Sequence, residues 1–531
     1  MMERRKAHPI AQTVGFGALG VALLGGCSGS AKSPSAVEPR PAAVQPAASA
    51  RAPAPEPIVE LPPTPLGDVA RSLLQAVNRG KLESHREFVR AHFSQRALEA
   101  APVDEWSTFL QSMSAESGGV DVVKLWPVPL PDLLVFDVRS RRGRHFANVK
   151  IKVNARHDRI DDFIAYAIPD PAAMREDPLE PRPVTEDETV RAISRRVEQR
   201  LALDLFSGAV LVAKRDRVIV SKAVGQADKA FGAPNREDTK FNLGSMNKMF
   251  TAVAIGQLVE RGKLAFTDSL AKALPDYPDR AFAERVTIHQ LLTHTSGIGG
   301  NIFAPQFLER REHFQRPSDY LPALAKEKSM FPPGERFEYA NPGFVVLGAV
   351  VERLSGEDYF DYVQKHIYEP AGMRDTGSFE LDESVPNLAV GYMVPDNDPF
   401  GLKPRRTNTI TLPYKGTPAG GGYSTAPDLR AFAAALRGHA LLGTAMTETV
   451  TSPKVDTPWG KGIRYGYGFK ARTVNGKDIR GHGGVAQGIN SELLVFWDGS
   501  YTVVVMGNYP PPLATQLAEE IVDFLAAQKA P

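Results

Sequence analysis

Apolar residues recur along this chain with several different periods, and each period predicts an element. Val69, Leu73 and Val77 follow Asp68 at helical spacing, so Asp68 is read as the cap of a helix, and Phe88, Val89 and Phe93 mark a second. Further on the period falls to two. Ala147, Val149, Ile151 and Val153 alternate with Asn148, Lys150, Lys152 and Asn154, which predicts a strand with one buried face. The runs 133–138 and 146–153 flank Arg141-Arg142-Gly143-Arg144 as the arms of a hairpin would. Thr185 to Leu203 is again amphipathic at helical spacing, and two strand-like runs, 207–213 and 217–224, are separated by Lys214-Arg215-Asp216. From Met246 the residues Met249, Phe250, Val253, Leu258 and Val259 mark another helix, with Gly262 where it should stop. Two late runs, 492–497 and 501–507, read as strands.

Two stretches lack such patterning. Residues 28–65 hold ten prolines among alanines and serines and are expected to form a disordered spacer, reaching roughly 100 Å if extended. Residues 171–184, proline-rich and acidic, read as a linker. The intervening 66–170 is expected to be a small α+β domain, and 185–528 a larger one. Residues 1–27 carry Arg4, Arg5 and Lys6, then an apolar segment, then small residues, the pattern of a secretory signal peptide. Its last residues, Leu24-Gly25-Gly26-Cys27, contain the chain's only cysteine and resemble the lipobox of bacterial lipoproteins. The resemblance implies lipidation of Cys27 and a chain tethered to the cell envelope through its lipid. Ser28 after it implies the outer membrane, facing the periplasm. With 23% charged residues and a net charge of +2 in 531 residues, nothing points to nucleic acid as a partner.

The candidate chemistry begins at Phe241-Asn242-Leu243-Gly244-Ser245-Met246-Asn247-Lys248. Ser245 and Lys248 lie three residues apart at a helix start, on one face. A serine hydroxyl becomes a strong nucleophile when a nearby base takes its proton, and a lysine amine does so if burial or positive charge lowers its pKa. Downstream stand Tyr339-Ala340-Asn341 after Pro332-Pro333-Gly334, the loop His294-Thr295-Ser296-Gly297, the glycine-rich stretch 419–422, and Gly481-His482-Gly483-Gly484-Val485 before a strand. The glycine-rich stretch lacks the Lys-Ser/Thr of a phosphate-binding loop, so close packing is the expected reason for it.

In this order and spacing the motifs resemble the serine beta-lactamase and penicillin-binding protein superfamily, in the branch holding class C beta-lactamases, D-peptidases and esterases. The resemblance implies an α+β sandwich: an antiparallel sheet flanked by helices, with the Ser245 helix buried behind it. It implies Ser245 as nucleophile and Lys248 and Tyr339 sharing the duties of base and acid. Asn341 would position substrate, His482 and Gly484 would line the substrate strand, and the N–H groups of Val485 and Ser245 would hold the oxyanion. His294 is expected to be structural. Where beta-lactamases carry Lys-Thr-Gly this chain has His482-Gly483-Gly484. Lacking a fixed cation and a hydroxyl there, it is expected to act on esters or D-residue peptides, peptidoglycan fragments included, ahead of efficient beta-lactam hydrolysis. A beta-lactamase is one alternative, and a non-catalytic cell-wall peptide-binding protein is the alternative from another class. The segments 301–330 and 375–418 are expected to line the cleft. No metal or cofactor is implied. The order of helices before a curled sheet in 66–170 resembles the NTF2-like cone fold.

Overall fold

A computed structural model of the protein describes residues 56–528, apart from 129, 175–178, 396–397 and 461. The expected signal segment, Cys27 and the spacer up to residue 55 lie outside the described residues.

The first folded layer packs helices on a four-stranded antiparallel meander. The helices are α1 (Pro65–Arg79), α2 (Leu82–His92), α3 (Gln95–Ala100) and α4 (Val103–Ser117). The strands β1 (Val120–Trp126), β2 (Leu133–Ser140), β3 (Phe146–Val153) and β4 (Ile160–Ile168) pair in sequence order. Alternation places Phe136, Val138, Val149, Ile151 and Phe163 in a core shared with Leu73, Val77 and Leu110 of the helices. Two expectations need correction. Thr64, not Asp68, caps α1, accepting from Gly67 N–H at 3.1 Å, while Asp68 sits in the first turn and pairs with Arg71. The fold also begins inside the stretch read as spacer. Leu61 is buried in this core and Val59 N–H donates to Val122 O at 2.8 Å, because the last apolar residues of the proline-rich stretch find a sheet to pack on.

The larger part is a three-layer sandwich. Its helix α5 (Glu186–Ala202) starts at a capping box between Thr185 and Glu188. The strands β5 (Gly208–Lys214) and β6 (Arg217–Val224) follow, then helices α6 (Asn247–Glu260), α7 (Asn341–Ser355) and α8 (Ala426–Arg437). Strands β7 (Val455–Asp456), β8 (Arg464–Tyr465), β9 (Lys470–Val474), β10 (Lys477–Ala486), β11 (Ile489–Phe496) and β12 (Tyr501–Gly507) lead to helix α9 (Leu513–Ala526). The antiparallel sheet runs β7-β8-β9-β10-β11-β12-β5-β6. Val210, Val212, Val503 and Val505 face α5 and α9, whereas Leu211, Val504 and Met506 face the cluster containing α6 and α7. Enclosure on both faces buries every residue of β11 and β12, and the runs Leu493–Phe496 and Val503–Met506 are apolar without the half-polar alternation of β3. The same enclosure removes the expected one-sided face of α6, in which every residue from Asn247 to Leu258 is buried.

A loop of the larger part packs on the four-stranded layer. Phe400, 5% exposed, belongs to the core of the four-stranded layer, and Lys403 pairs with Glu116 of α4 at 2.9 Å. Asp398, buried at the turn, accepts from the N–H groups of Leu402 and Lys403 at 2.7 and 2.9 Å and fixes the loop's shape. Phe400→Ala is expected to cost about 3 kcal/mol in this layer, read as a lowered first thermal transition, with the larger part's transition little moved.

Candidate active site

Ser245 occupies a single 3-10 turn, Gly244–Met246, that leads into α6. Backbone contacts hold that turn on both sides. Leu243 N–H donates to Gly422 O at 2.7 Å and Gly421 N–H to Gly244 O at 3.2 Å, which ties the glycine-rich stretch underneath. A Cβ at Gly420 would stand 2.8 Å from Gly244 O, so close packing accounts for this glycine. On the other side, a Cβ at Gly484 would fall 1.9 Å from Leu243 O, and one at Gly244, whose φ is +48°, would come 3.2 Å from Val485 N. The backbones at Ser245 and Val485 therefore run side by side, with no side chain between them.

The β10 strand that provides this contact is not at the edge of the sheet: it is the fourth of eight strands. Its pairing with β9 ends at Gly481, opposite Lys470, while its pairing with β11 continues to Ala486. The stretch from His482 to Ala486 is thus an edge only locally, and the Ser245 turn packs against it there.

Lys248 is fully buried, and its Nζ lies 3.2 Å from Ser245 Oγ, 2.7 Å from Asn341 Oδ1 and 2.5 Å from Ala419 O. Burial first, then the charge of Lys470, hold its pKa well below the ordinary lysine value. A neutral amine has two N–H bonds and one lone pair, and the two carbonyl oxygens only accept. They take both N–H bonds, and the lone pair is left for the Ser245 hydroxyl. Tyr339 completes the group. Its ring centroid stands 4.8 Å from Lys248 Nζ, its phenol lies beside Ser245, and burial pushes its pKa up, so it stays protonated.

Asn341 is the first residue of α7, with Pro342 next, a position where proline's missing N–H costs nothing. The loop at His294 positions this segment. His294 O accepts from Glu338 N–H at 2.9 Å, Thr295 O from Gly334 N–H at 2.7 Å, and His294 Nδ1 from Ala340 N–H at 3.1 Å. The buried imidazole lies against the Tyr339 ring, tilted by 41° with 4.3 Å between centroids. It touches the residue between Tyr339 and Asn341, not Ser245, which is the structural placement expected of it. Ser245, Tyr339, Asn341 and His482 open onto one cavity of about 690 Å³. Phe303 and Leu308 wall it from one expected segment, and Leu412 and Pro413 from the other. Among the described residues no group of three His, Cys, Asp or Glu side chains is placed to hold a metal ion.

A family model described as beta-lactamase matches residues 193–528, which include all of these site residues. The chain belongs to the beta-lactamase family. It is 30% identical over 266 residues to the putative penicillin-binding protein PbpX of Bacillus subtilis, a match covering 50% of this chain and 62% of that protein. It is 33% identical over 223 residues to esterase EstB of Burkholderia gladioli, covering 39% of this chain and 55% of that one. The match therefore spans less than two thirds of either relative. The crystal structure of a penicillin-binding protein from Bacillus halodurans superposes with a TM-score of 0.55 at 32% identity, covering 64% of this chain and 98% of that one.

This member of the beta-lactamase family departs from the Lys-Thr-Gly pattern in a way its packing explains. His482 is buried, its Nδ1–H donates to Gly483 O at 2.6 Å, and its Nε2 accepts from the Tyr465 hydroxyl at 3.0 Å. Burial, then the charge of Lys470, push its pKa well below the ordinary histidine value, so the ring is neutral, with both nitrogens engaged. At Gly483 a Cβ would lie 2.1 to 2.4 Å from the buried Glu492 carboxyl, which Thr515 Oγ1 holds at 3.0 Å. The carboxyl fills the space a hydroxyl residue needs. The cavity nevertheless has a cation. Lys470 lines it, with Nζ 5.1 Å from the Trp459 ring centroid. Lys470, Trp459 and Tyr465 carry no motif in the sequence; the pairing of β8 with β9 and of β9 with β10 brings Tyr465 and Lys470 to the site, and Trp459 comes from the loop between β7 and β8.

Two outcomes follow for Ser245 and its neighbours. The rate of Ser245 modification by a fluorophosphonate should rise with pH as the Lys248 amine loses its proton, and level off well below pH 10.5. Lys248→Arg, which stays charged, should lower that rate by about 10²-fold or more. Gly483→Thr should lower the thermal midpoint of the larger part, a cost of about 1–3 kcal/mol, and Glu492→Ala in the same chain should recover part of the loss.

Proposed function

We propose that this protein is a serine hydrolase acting through an acyl-enzyme on esters or on peptides containing D-residues. The observation that carries the reading is the Lys248 amine, stripped of water, with both N–H bonds committed to Asn341 and Ala419 and its lone pair turned to Ser245. As Ser245 Oγ attacks the substrate carbonyl carbon, its proton passes to Lys248, and the carbonyl π electrons move onto oxygen. The N–H groups of Ser245 and Val485 hold that oxyanion, each donor lowering the barrier by roughly 3 kcal/mol. On collapse the bond to the leaving group breaks, and Tyr339 gives that group its proton while Lys248 restores the phenol. Water then repeats the sequence in reverse roles to release the acid. Asn341 keeps the amine in place and offers its amide to the substrate. Relatives named as an esterase and as a penicillin-binding protein support the ester and peptide classes.

We further propose that Cys27 is lipidated, that the chain is held in the cell envelope, and that residues 66–170 form an NTF2-like layer. The sequence around Cys27 and the four-stranded meander under helices support these points. Loss of envelope fractionation in Cys27→Ser is the expected result for the anchor; unchanged fractionation refutes it.

The hydrolase reading is tested with nitrophenyl esters, D-alanyl peptides and nitrocefin side by side. Ester or D-peptide turnover is expected to exceed nitrocefin turnover, and Ser245→Ala should abolish both it and fluorophosphonate labelling. Absence of any Ser245-dependent adduct or turnover would instead favour a peptide-binding protein.

A further inference from the structure

The hairpin that joins β10 to β11 turns just beyond Val485, whose backbone lies beside the Ser245 turn. Its last cross-strand pair is Ala486 with Ile489, which leaves Gln487 and Gly488 as a two-residue turn. Of these two only Gly488 is left-handed, at φ +72°. The two-residue turns whose twist suits a hairpin need a left-handed first residue, so the twist of β10 and β11 does not by itself hold this turn. Strand β9 gives no support either, because its ladder with β10 ends at Gly481. The Gln487 carbonyl belongs to the peptide between the two turn residues and lies outside the ladder. Its hydrogen bond comes from Asn408, whose Nδ2–H donates to it at 2.8 Å.

Asn408 is 3% exposed and is itself held through its backbone. Its N–H donates to Gly391 O at 2.9 Å, and its carbonyl accepts from the N–H and hydroxyl of Thr411 at 2.9 and 2.8 Å. A Cβ at Gly391 would stand 2.4 Å from Asn408 Nδ2, and one at Gly488 would stand 3.0 Å from the same nitrogen and 2.7 Å from Tyr392 N. Two glycines therefore make room for one amide between the hairpin turn and the backbone at 391–392. The β11 arm has a separate anchor: Asn490, paired with Val485, accepts from the N–H groups of Ala514 and Thr515 at the start of α9, at 2.8 and 3.1 Å. The tip and the β10 arm are left to Asn408. Asn408 is not among the residues lining the cavity, so its influence on the reaction passes through the strand.

We infer that Asn408 is a positioning residue for catalysis: by holding the Gln487 carbonyl it fixes the hairpin tip, and with it the direction of the Val485 N–H at the oxyanion. This rests on the hydrolase reading and deepens it. An oxyanion donor lowers the barrier only when it is aimed at the place the oxygen takes in the transition state, and a small displacement of the strand forfeits much of that gain.

The test measures nitrophenyl ester turnover and the affinity for benzeneboronic acid. In the boronic adduct Ser245 Oγ adds to boron, its proton passes to Lys248, and a boron hydroxyl takes the oxyanion position. Fluorophosphonate labelling carried to completion counts the competent serines, so kcat is expressed per site and loss of folded protein does not enter. Asn408→Asp, the same shape without the donor, should lower kcat by about tenfold or more with KM little changed. Benzeneboronic acid should bind more weakly by a similar factor. Asn408→Ala, which deletes the bond without adding a charge, should show the same split, and it reads the inference if the aspartate variant fails to fold. A kcat per site within about twofold of wild type, or a fall in kcat with boronic-acid affinity unchanged, overturns the inference. Absence of labelled sites in both variants overturns it as well, since the role is then one of folding. Failure of the hydrolase reading shows differently, as absence of Ser245 labelling and of turnover in the wild type.

Discussion

A single dry amine organises the site. Removing Lys248 from water disfavours its charged form, and no carboxylate is at hand to restore the charge. A buried neutral amine still needs partners for its N–H bonds. Asn341 and Ala419 meet that need, so the base is kept in one orientation by the same contacts that make it tolerable inside the protein. This constraint reaches far along the chain. One acceptor stands at the start of α7 and the other in the stretch before the glycines, so the elements that carry them must close around α6.

The closure depends on backbone meeting backbone. At Gly244, Gly420 and Gly484 a single added carbon would collide with a neighbouring peptide group. Their absence of side chains lets the Ser245 turn lie between the glycine-rich stretch and β10. The early end of the β9–β10 ladder leaves His482 to Ala486 unpaired on one side. An interior strand thereby offers a short edge at the site, and the rest of it stays sealed against the aggregation that a long open edge invites.

The segment 398–413 joins two tasks. Phe400 is packed in the core of the four-stranded layer, and Thr411, Leu412 and Pro413 wall the cavity a few residues later. Arg311 donates to Thr409 O and Leu412 O at 2.9 and 3.1 Å, so the opposite wall is tied to the same segment. The small layer thus supports one side of the cavity through covalent continuity as well as through its own packing.

Much of this was legible in the chain before any coordinates. The helix and strand periods located α5, β3, β6 and β12, because a half-buried element or a short apolar run between turns leaves its imprint on composition. Ser245 and Lys248 stood out by their spacing at a helix start, and Tyr339 and Asn341 through the family resemblance; the structure brings the four side chains together. The sequence also marked the glycines of the site, though not what they touch. Tertiary structure decided the rest. The N-cap of α1 and the start of the small layer depended on which apolar residues found a sheet, and the enclosure of α6 erased the one-sided pattern its spacing suggested. Only the register of β9 against β10 brought Lys470 beside His482, and only the Glu492 carboxyl under Gly483 explains why no side chain stands there. Periodicity records what one element buries, whereas the electrostatics of a pocket come from residues of different elements, whose meeting no local pattern encodes.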